Sequence, residues 1–395
     1  MLADVFYPDT IGGAGRIVYH LGLEFSQRGH EVHIITRNTD GKFPYYEELH
    51  SNLYVHRFFT PHKESLALLL LEIKNSYFMA KQLSMKIEFD IVCIHQSLVA
   101  IGPLSLDRLK NIPLVYYFHS PWHEEFLIKK QVKKGIMREW TKAIACLMRW
   151  IEKRMFLRSD RIIVLSQYIF HKVLEIHHFP KRKIVRIPGG IDLHHFHLPV
   201  GGKAAAKGIA GLPLGKTVFF TVRNLVPRMG LESLIEAFNG SETLRQKGLL
   251  LIGGTGFLED RLKTMVDDFN LKDSIRFLGH IPGDDLPGLY QAADFFVLPT
   301  EKLEGFGLVI LEAMACGTPV LGTPVGAIPE VIGSFDKRLI FDGMRWFDIR
   351  RKMEEVIEKP HGYHFDPEGC RKFVEKNFSW KKVASSFEKQ VLGLM

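Results

Sequence analysis

The chain is poor in cysteine: Cys93, Cys146, Cys316 and Cys370 are the only four in 395 residues, and no two form a CxxC pair. Thiols this scattered exclude a disulfide framework and a cysteine zinc site. Long apolar runs are missing too, since the longest, LALLLL at 66–71, falls far short of the ~18 residues that span a bilayer. The opening MLADVFYPD has neither a basic n-region nor an apolar h-region, so no secretory signal is expected and cytoplasmic residence is. The HHFH cluster at 194–197 lacks the spacing of a metal motif, and no metal ligand set is expected. No repeat with a period of about 20 to 50 residues occurs, which argues against a solenoid.

What is present is a globular composition, 46% hydrophobic and 24% charged, with a formal charge of +8. Between Phe126 and Arg161, eleven Lys or Arg face only Glu139, Glu152 and Asp160, interleaved with Ile, Met, Trp and Leu at helical spacing. Two readings of this basic amphipathic stretch stay open: a core helix with a solvated basic face, or a surface for an anionic membrane leaflet. Nucleic acid is not expected as a partner, because no recognition motif accompanies the charge.

At ~150 residues per domain the length suggests two or three domains, and two is the expectation. Segment LADVFY is expected as a strand, residues 15–28 as an amphipathic helix stopped by Gly29, and EVHIIT as the next strand. Runs DIVCIH, PLVYYFH, RIIVLS and KIVRIP then have the continuous apolar character of buried parallel strands. VGGKAAAKGIAGLPLG, at 200–215, is expected as a linker without amphipathic period. Beyond it TVFFTV, LLLIGG, IRFLG, DFFVLP and PVLGT start a second strand-helix series. The expected fold class is α/β, with two doubly wound parallel-sheet domains at 1–190 and 191–379, the first rejoined by a terminal helix at about 380–395.

Two glycine-rich helix starts, Gly12-Gly13-Ala14-Gly15 and Gly305-Phe306-Gly307, lack an adjacent Ser, Thr, Asp or Asn cap. First-turn N–H groups left this way, with no side chain to block approach, suit an anion. GGAGRI and IGGTGFLE both lack the final Gly or Ala of G-x-G-x-x-G, and no Walker GK[ST] occurs. In EGFGLVILE, Glu304 and Glu312 on one helix would stand about 12 Å apart along the axis and ~80° around it. A glycosidase carboxylate pair needs ~5 to 9.5 Å, so two grips on an extended ligand fit better, with Glu304 in the loop and Glu312 in the helix.

EGFGLVILEAMACGTPVLGTPVGAIPEVI, at 304–332, resembles the signature of the family 4 retaining glycosyltransferases, which have the GT-B fold. FYPDTIGGAGR, QRGHEVHIIT, YYFHSPWHEEF, RSDRIIVLSQYI, RIPGGIDLHHF, IRFLGHIP and LPGLYQAADFFVLPT resemble it in the expected order, over nearly the whole chain. The resemblance implies two Rossmann-like domains facing across a cleft that holds a nucleotide diphosphate sugar, UDP- or GDP-linked. It implies no other cofactor and no metal. A glycan or lipid-linked acceptor would bind the first domain, in cell-surface polysaccharide or glycolipid synthesis. By the same resemblance Glu304 contacts the donor sugar and Glu312 the ribose. Backbone groups of Gly305, Phe306, Gly307 and Leu308 hold sugar and diphosphate, Gly12 and Gly13 approach the phosphates, His119 lies near the sugar, and Ile281 borders the base.

The match departs from the family where an Arg and a Lys usually neutralise the diphosphate. In TVRNLVPRMG those positions hold Asn224 and Met229. Arg228 is expected to take over the contact, with Arg223 as second partner only if the backbone has left the strand by that point. The first strand also begins later than is usual for the family. A nucleotide-sugar epimerase, and a weakened or noncatalytic paralogue that binds nucleotide-sugar, glycan or membrane, are the alternatives.

Overall fold

The computed structural model of the chain describes residues 1–9, 12–61, 66–130 and 136–394. They form two units, Met1–Gly189 with Trp380–Met395, and Gly190–Ser379.

In the first unit, β1 (Val32–Asn38) pairs in parallel with β3 (Leu53–Phe59), and β2 (Tyr46–His50) flanks β3 antiparallel. A second parallel group runs β4 (Val92–Ile94), β5 (Leu114–Phe118), β6 (Arg161–Val164) and β7 (Ile184–Arg186). Leu2 bridges Ile35 of β1 and Ile94 of β4, joining the groups. LADVFY is therefore a bridge at Leu2 rather than a strand: the Asp4 N–H leaves the ladder for Gln96 Oε1 at 2.8 Å. The antiparallel β2 was not foreseen, because its alternately exposed residues carry little apolar signal. Helix Gly13–Gln27 buries Ile17, Val18, Leu21 and Phe25. The terminal helix Trp380–Leu392 lies against it, with Trp380 stacked on His20 at 5.0 Å and Phe387 5.1 Å from Phe25. Arg28 reaches Glu388 at 2.6 Å across the same contact.

The basic stretch forms the helix Ile136–Arg158; Lys133 and Lys134 lie outside the described residues. Its inner side is held by buried Glu152, which accepts from Trp122 N and meets His123 Nδ1, both at 2.6 Å.

The second unit has one five-stranded parallel sheet in the order β10 (Ile275–Gly279), β9 (Gly248–Gly253), β8 (Thr217–Val222), β11 (Phe295–Leu298), β12 (Val320–Gly322). Its central strands, including Phe219, Phe220, Leu250, Phe296 and Val297, are buried without alternation, as a sheet covered on both faces requires. Chain order reverses between β8 and β11, so the crevice at their C-terminal ends is the switch point where open α/β sheets bind ligands. The segment at 200–215 is not a bare linker. Gly202–Ile209 is a helix, fixed by Lys207 Nζ on Asp294 at 2.6 Å and Lys203 Nζ on Thr318 Oγ1 at 3.1 Å. The alanines supply helix propensity, and buried Lys207 with half-buried Lys203 supplies the anchoring that hydrophobic periodicity did not show.

Candidate active site

The loops leaving β8 and β11 carry the candidate charges. β8 ends at Val222, so Arg223 has left the strand, and its side chain turns back into the site. Arg223 Nη2 donates to Glu304 Oε2 at 2.6 Å, with side-chain exposures of 8% and 12%. Met229 Sδ accepts from Arg223 at 2.9 Å from Nη2 and 3.3 Å from Nε. Met229 thus occupies the usual lysine position as a buried, neutral group against the arginine.

Arg228 does different work. Its Nη1 donates to the Leu303 carbonyl at 2.9 Å, while its own carbonyl accepts from Glu301 N at 2.9 Å. Leu303 has φ +58, an uncommon conformation for leucine, immediately before Glu304. Arg228 therefore clamps the loop that aims Glu304. The two loops pass so closely that a Cβ on Gly230, at φ +71, would lie 1.8 Å from the Pro299 carbonyl oxygen. Only glycine meets both the space and the dihedral there.

Beyond Glu304 the chain turns through Gly305 and Phe306 into the helix Leu308–Ala315, whose N-cap Gly307, at φ +83, offers no side-chain oxygen. First-turn N–H groups of such a helix have no intrahelical acceptor, and the dipole there favours negative charge. Phe306 is buried against the Phe378 ring at 5.9 Å, so it fixes the turn while its backbone stays in the loop. Glu312, buried in the helix, accepts from Tyr290 OH at 2.8 Å. Ile281 follows β10 and covers the end of β9, where a Cβ on Gly253 would be 2.3 Å from its Cδ1. Arg223, Arg228, Ile281 and the 304–308 turn all follow C-terminal ends of strands of this one sheet, and Glu312 lies further along the helix that starts there.

Tyr290 and Gly326 were not singled out from sequence. Ala327 N donates to the Glu304 carbonyl at 2.9 Å, and a Cβ on Gly326 would stand 2.2 Å from that oxygen. The GTPVGAIPE end of the signature holds the signal for Gly326; Tyr290 was one aromatic among several in a short helix.

Gly12, Gly13 and His119 belong to the first unit. Gly12 is the N-cap of the helix Gly13–Gln27 and provides no side-chain cap; Thr10 and Ile11 of the same motif lie outside the described residues. His119 follows β5, with its Nε2 3.1 Å from His95 Nδ1. Desolvation pushes the His119 pKa down to about 3 and that of His95 well below the usual histidine value. Both rings are neutral at physiological pH, which suits hydrogen bonding rather than charge stabilisation.

The switch point thus brings together an arginine-paired glutamate, a helix start with no side-chain cap and, in the same helix, a buried second glutamate. The model for glycosyl transferases group 1 matches residues 203–380, and that for glycosyltransferase family 4 matches residues 11–195. The chain belongs to this glycosyltransferase family. An uncharacterized glycosyltransferase of Methanocaldococcus jannaschii is 28% identical over 392 residues, 96% of this chain and 94% of that protein. Among solved structures, sucrose-phosphate synthase from Thermosynechococcus elongatus superposes with a TM-score of 0.81 at 23% identity, over 99% of this chain and 96% of that one. HepE of Anabaena, solved with UDP and glucose, gives 0.75 at 16% identity, over 99% and 98%. The fold is GT-B.

Proposed function

We propose that the protein transfers a sugar from a nucleotide diphosphate donor to an acceptor hydroxyl with retention of anomeric configuration. The single observation that carries this is Arg223 held on Glu304 at 2.6 Å, at the C-terminal ends of β8 and β11. Glu304 binds the sugar beside the reacting carbon. Arg223 faces the leaving diphosphate with the N–H groups of the 305–308 turn, and preorganised charge of this kind is a major catalytic term. Glu312, oriented by Tyr290, takes the ribose hydroxyls, and Ile281 borders the base. Gly12, Gly13 and His119 are carried as donor contacts on the family resemblance alone. Arg228 acts through Leu303 and adds positive charge.

The chemistry needs no protein nucleophile. The acceptor oxygen attacks from the face that the diphosphate leaves, and a phosphate oxygen of the leaving group takes the acceptor proton. The protein positions the partners and stabilises charge. No metal is assigned a role, and the arginine with the helix start serves the diphosphate. HepE, solved with UDP and glucose, makes UDP-sugars the first donors to test, GDP-sugars the next. The acceptor is taken as a glycan or lipid-linked hydroxyl, presented at the cytoplasmic, anionic face of a membrane in polysaccharide or glycolipid synthesis.

The test combines purified protein, UDP- and GDP-sugars and a panel of soluble and lipid-linked acceptors. Nucleotide release and the anomeric coupling of the product are read by NMR. A product with the donor's configuration is expected. Inversion, or donor isomerisation without acceptor, overturns the reading.

A further inference from the structure

The helix Ile136–Arg158 buries one side and leaves the other without a protein partner among the described residues. Ala145, Met148, Glu152, Met155 and Phe156 are buried. On the outer side Trp140, Trp150 and Leu157 are 68%, 54% and 64% exposed, with Ile144 and Leu147 exposed between them. Positions 140, 144 and 147 have the i, i+4, i+7 spacing of a single helical stripe. A helix with only a solvated basic face would not carry two open tryptophans on it.

The same helix exposes Arg138, Lys142, Arg149, Lys153 and Arg154, of which Arg149 donates to the Ile176 carbonyl at 2.7 Å. Its one exposed acid, Glu139, is tied to Lys142 at 2.8 Å, and Arg154 lies 4.6 Å from the Trp150 ring centre. Tryptophan favours the polar–apolar boundary of a bilayer, and the cations beside it can reach headgroup phosphates while their stems cover apolar surface.

We propose that this face docks the protein on an anionic lipid bilayer, with Trp140 and Trp150 entering the interface and the flanking cations meeting lipid phosphates. This rests on the membrane partner proposed above and assigns it to one helix. Charge complementarity selects the occupant. A second copy seated on the same face would set basic side chains against basic side chains, which disfavours association. A nucleic-acid backbone would meet the cations but leave Ile144, Leu147 and Leu157 in water.

The experiment uses the full chain and vesicles of phosphatidylcholine with about a third phosphatidylglycerol, read by co-sedimentation at low and high salt. Wild type is expected to bind at low salt, to release at high salt and not to bind pure phosphatidylcholine. Replacing Trp140→Ser and Trp150→Ser together is expected to weaken binding about tenfold or more, and Arg154→Glu by at least about fivefold, because apolar burial and lipid charge both contribute. Ile209→Ser, at another exposed apolar residue in the second unit, is the control and should bind as wild type. Circular dichroism and nucleotide-induced thermal shifts check that each variant is folded. If wild type ignores anionic vesicles even at low salt, the membrane partner itself is wrong. If wild type binds and the tryptophan variant binds equally, the membrane partner stands and this face does not serve it. A dimer by sedimentation that the tryptophan variant abolishes, without vesicle binding, gives the face to a second copy.

Discussion

Met229 Sδ lies 2.9 Å from Arg223 Nη2, the nitrogen that also donates to Glu304. A sulfur accepts weakly and carries no charge, so one arginine occupies a space for which the family usually supplies two cations. Met229→Lys would bury an ammonium against that guanidinium. It is expected to cost about 2–4 kcal/mol of stability and to lower turnover, whereas Met229→Leu should cost under about 1.5 kcal/mol. Chemical denaturation and initial rates check this. A rate gain in the Asn224→Arg, Met229→Lys double variant would instead identify a weakened paralogue.

The buried Tyr290–Glu312 hydrogen bond at 2.8 Å gives a second test. Tyr290→Phe removes the donor from a buried carboxylate and is expected to cost about 1–3 kcal/mol of stability. Glu312→Gln is expected to weaken donor binding roughly tenfold, the loss of a charge-assisted hydrogen bond, with a smaller effect on kcat. Nucleotide titration calorimetry separates the two. Equal donor affinity in Glu312→Gln removes the ribose assignment.

A pH dependence follows from a carboxyl pair in the first unit. Burial, followed by neighbouring Asp4, raises Glu72 from 4.5 to about 8, and burial raises Asp4 as well. Arg37 Nη1 donates to Glu72 at 3.1 Å and opposes the shift. With the folded pKa above the unfolded one, the stabilising proton is fully held below 4.5, and stability falls as pH rises toward about 8. Glu72→Gln should flatten that fall, read as denaturation midpoints at about pH 6 and about pH 9. At the acid end, neutral His119 works in the opposite sense. Its folded pKa is depressed from 6.5 to about 3, so stability falls as pH drops through that interval. An unchanged slope in Glu72→Gln would show that Glu72 is not the group whose titration sets it.

Much of this was legible in the sequence because the strands of the second unit are buried on both sides, giving continuous apolar runs such as TVFFTV and DFFVLP. The signature at 304–332 likewise carried its own spacing. Local pattern gave less where long-range contacts decide. The helix Gly202–Ile209 depends on Asp294 and Thr318, far along the chain, and LADVFY loses its strand character to Gln96. The roles of the two arginines were also hidden. Arg228, the expected diphosphate contact, has its Nη1 on the Leu303 carbonyl, and the end of β8 at Val222 turns Arg223 onto Glu304. Nothing in TVRNLVPRMG states where a strand stops.

Arg223 is proposed to carry the positive charge opposite the leaving diphosphate. Steady-state kinetics of Arg223→Gln and Arg228→Gln at saturating donor test it most directly. The expected result is a kcat lower by about 10²–10³ for Arg223→Gln, the scale of one lost preorganised donor, and by less than about tenfold for Arg228→Gln. Wild-type turnover in Arg223→Gln, with the loss in Arg228→Gln instead, would contradict it.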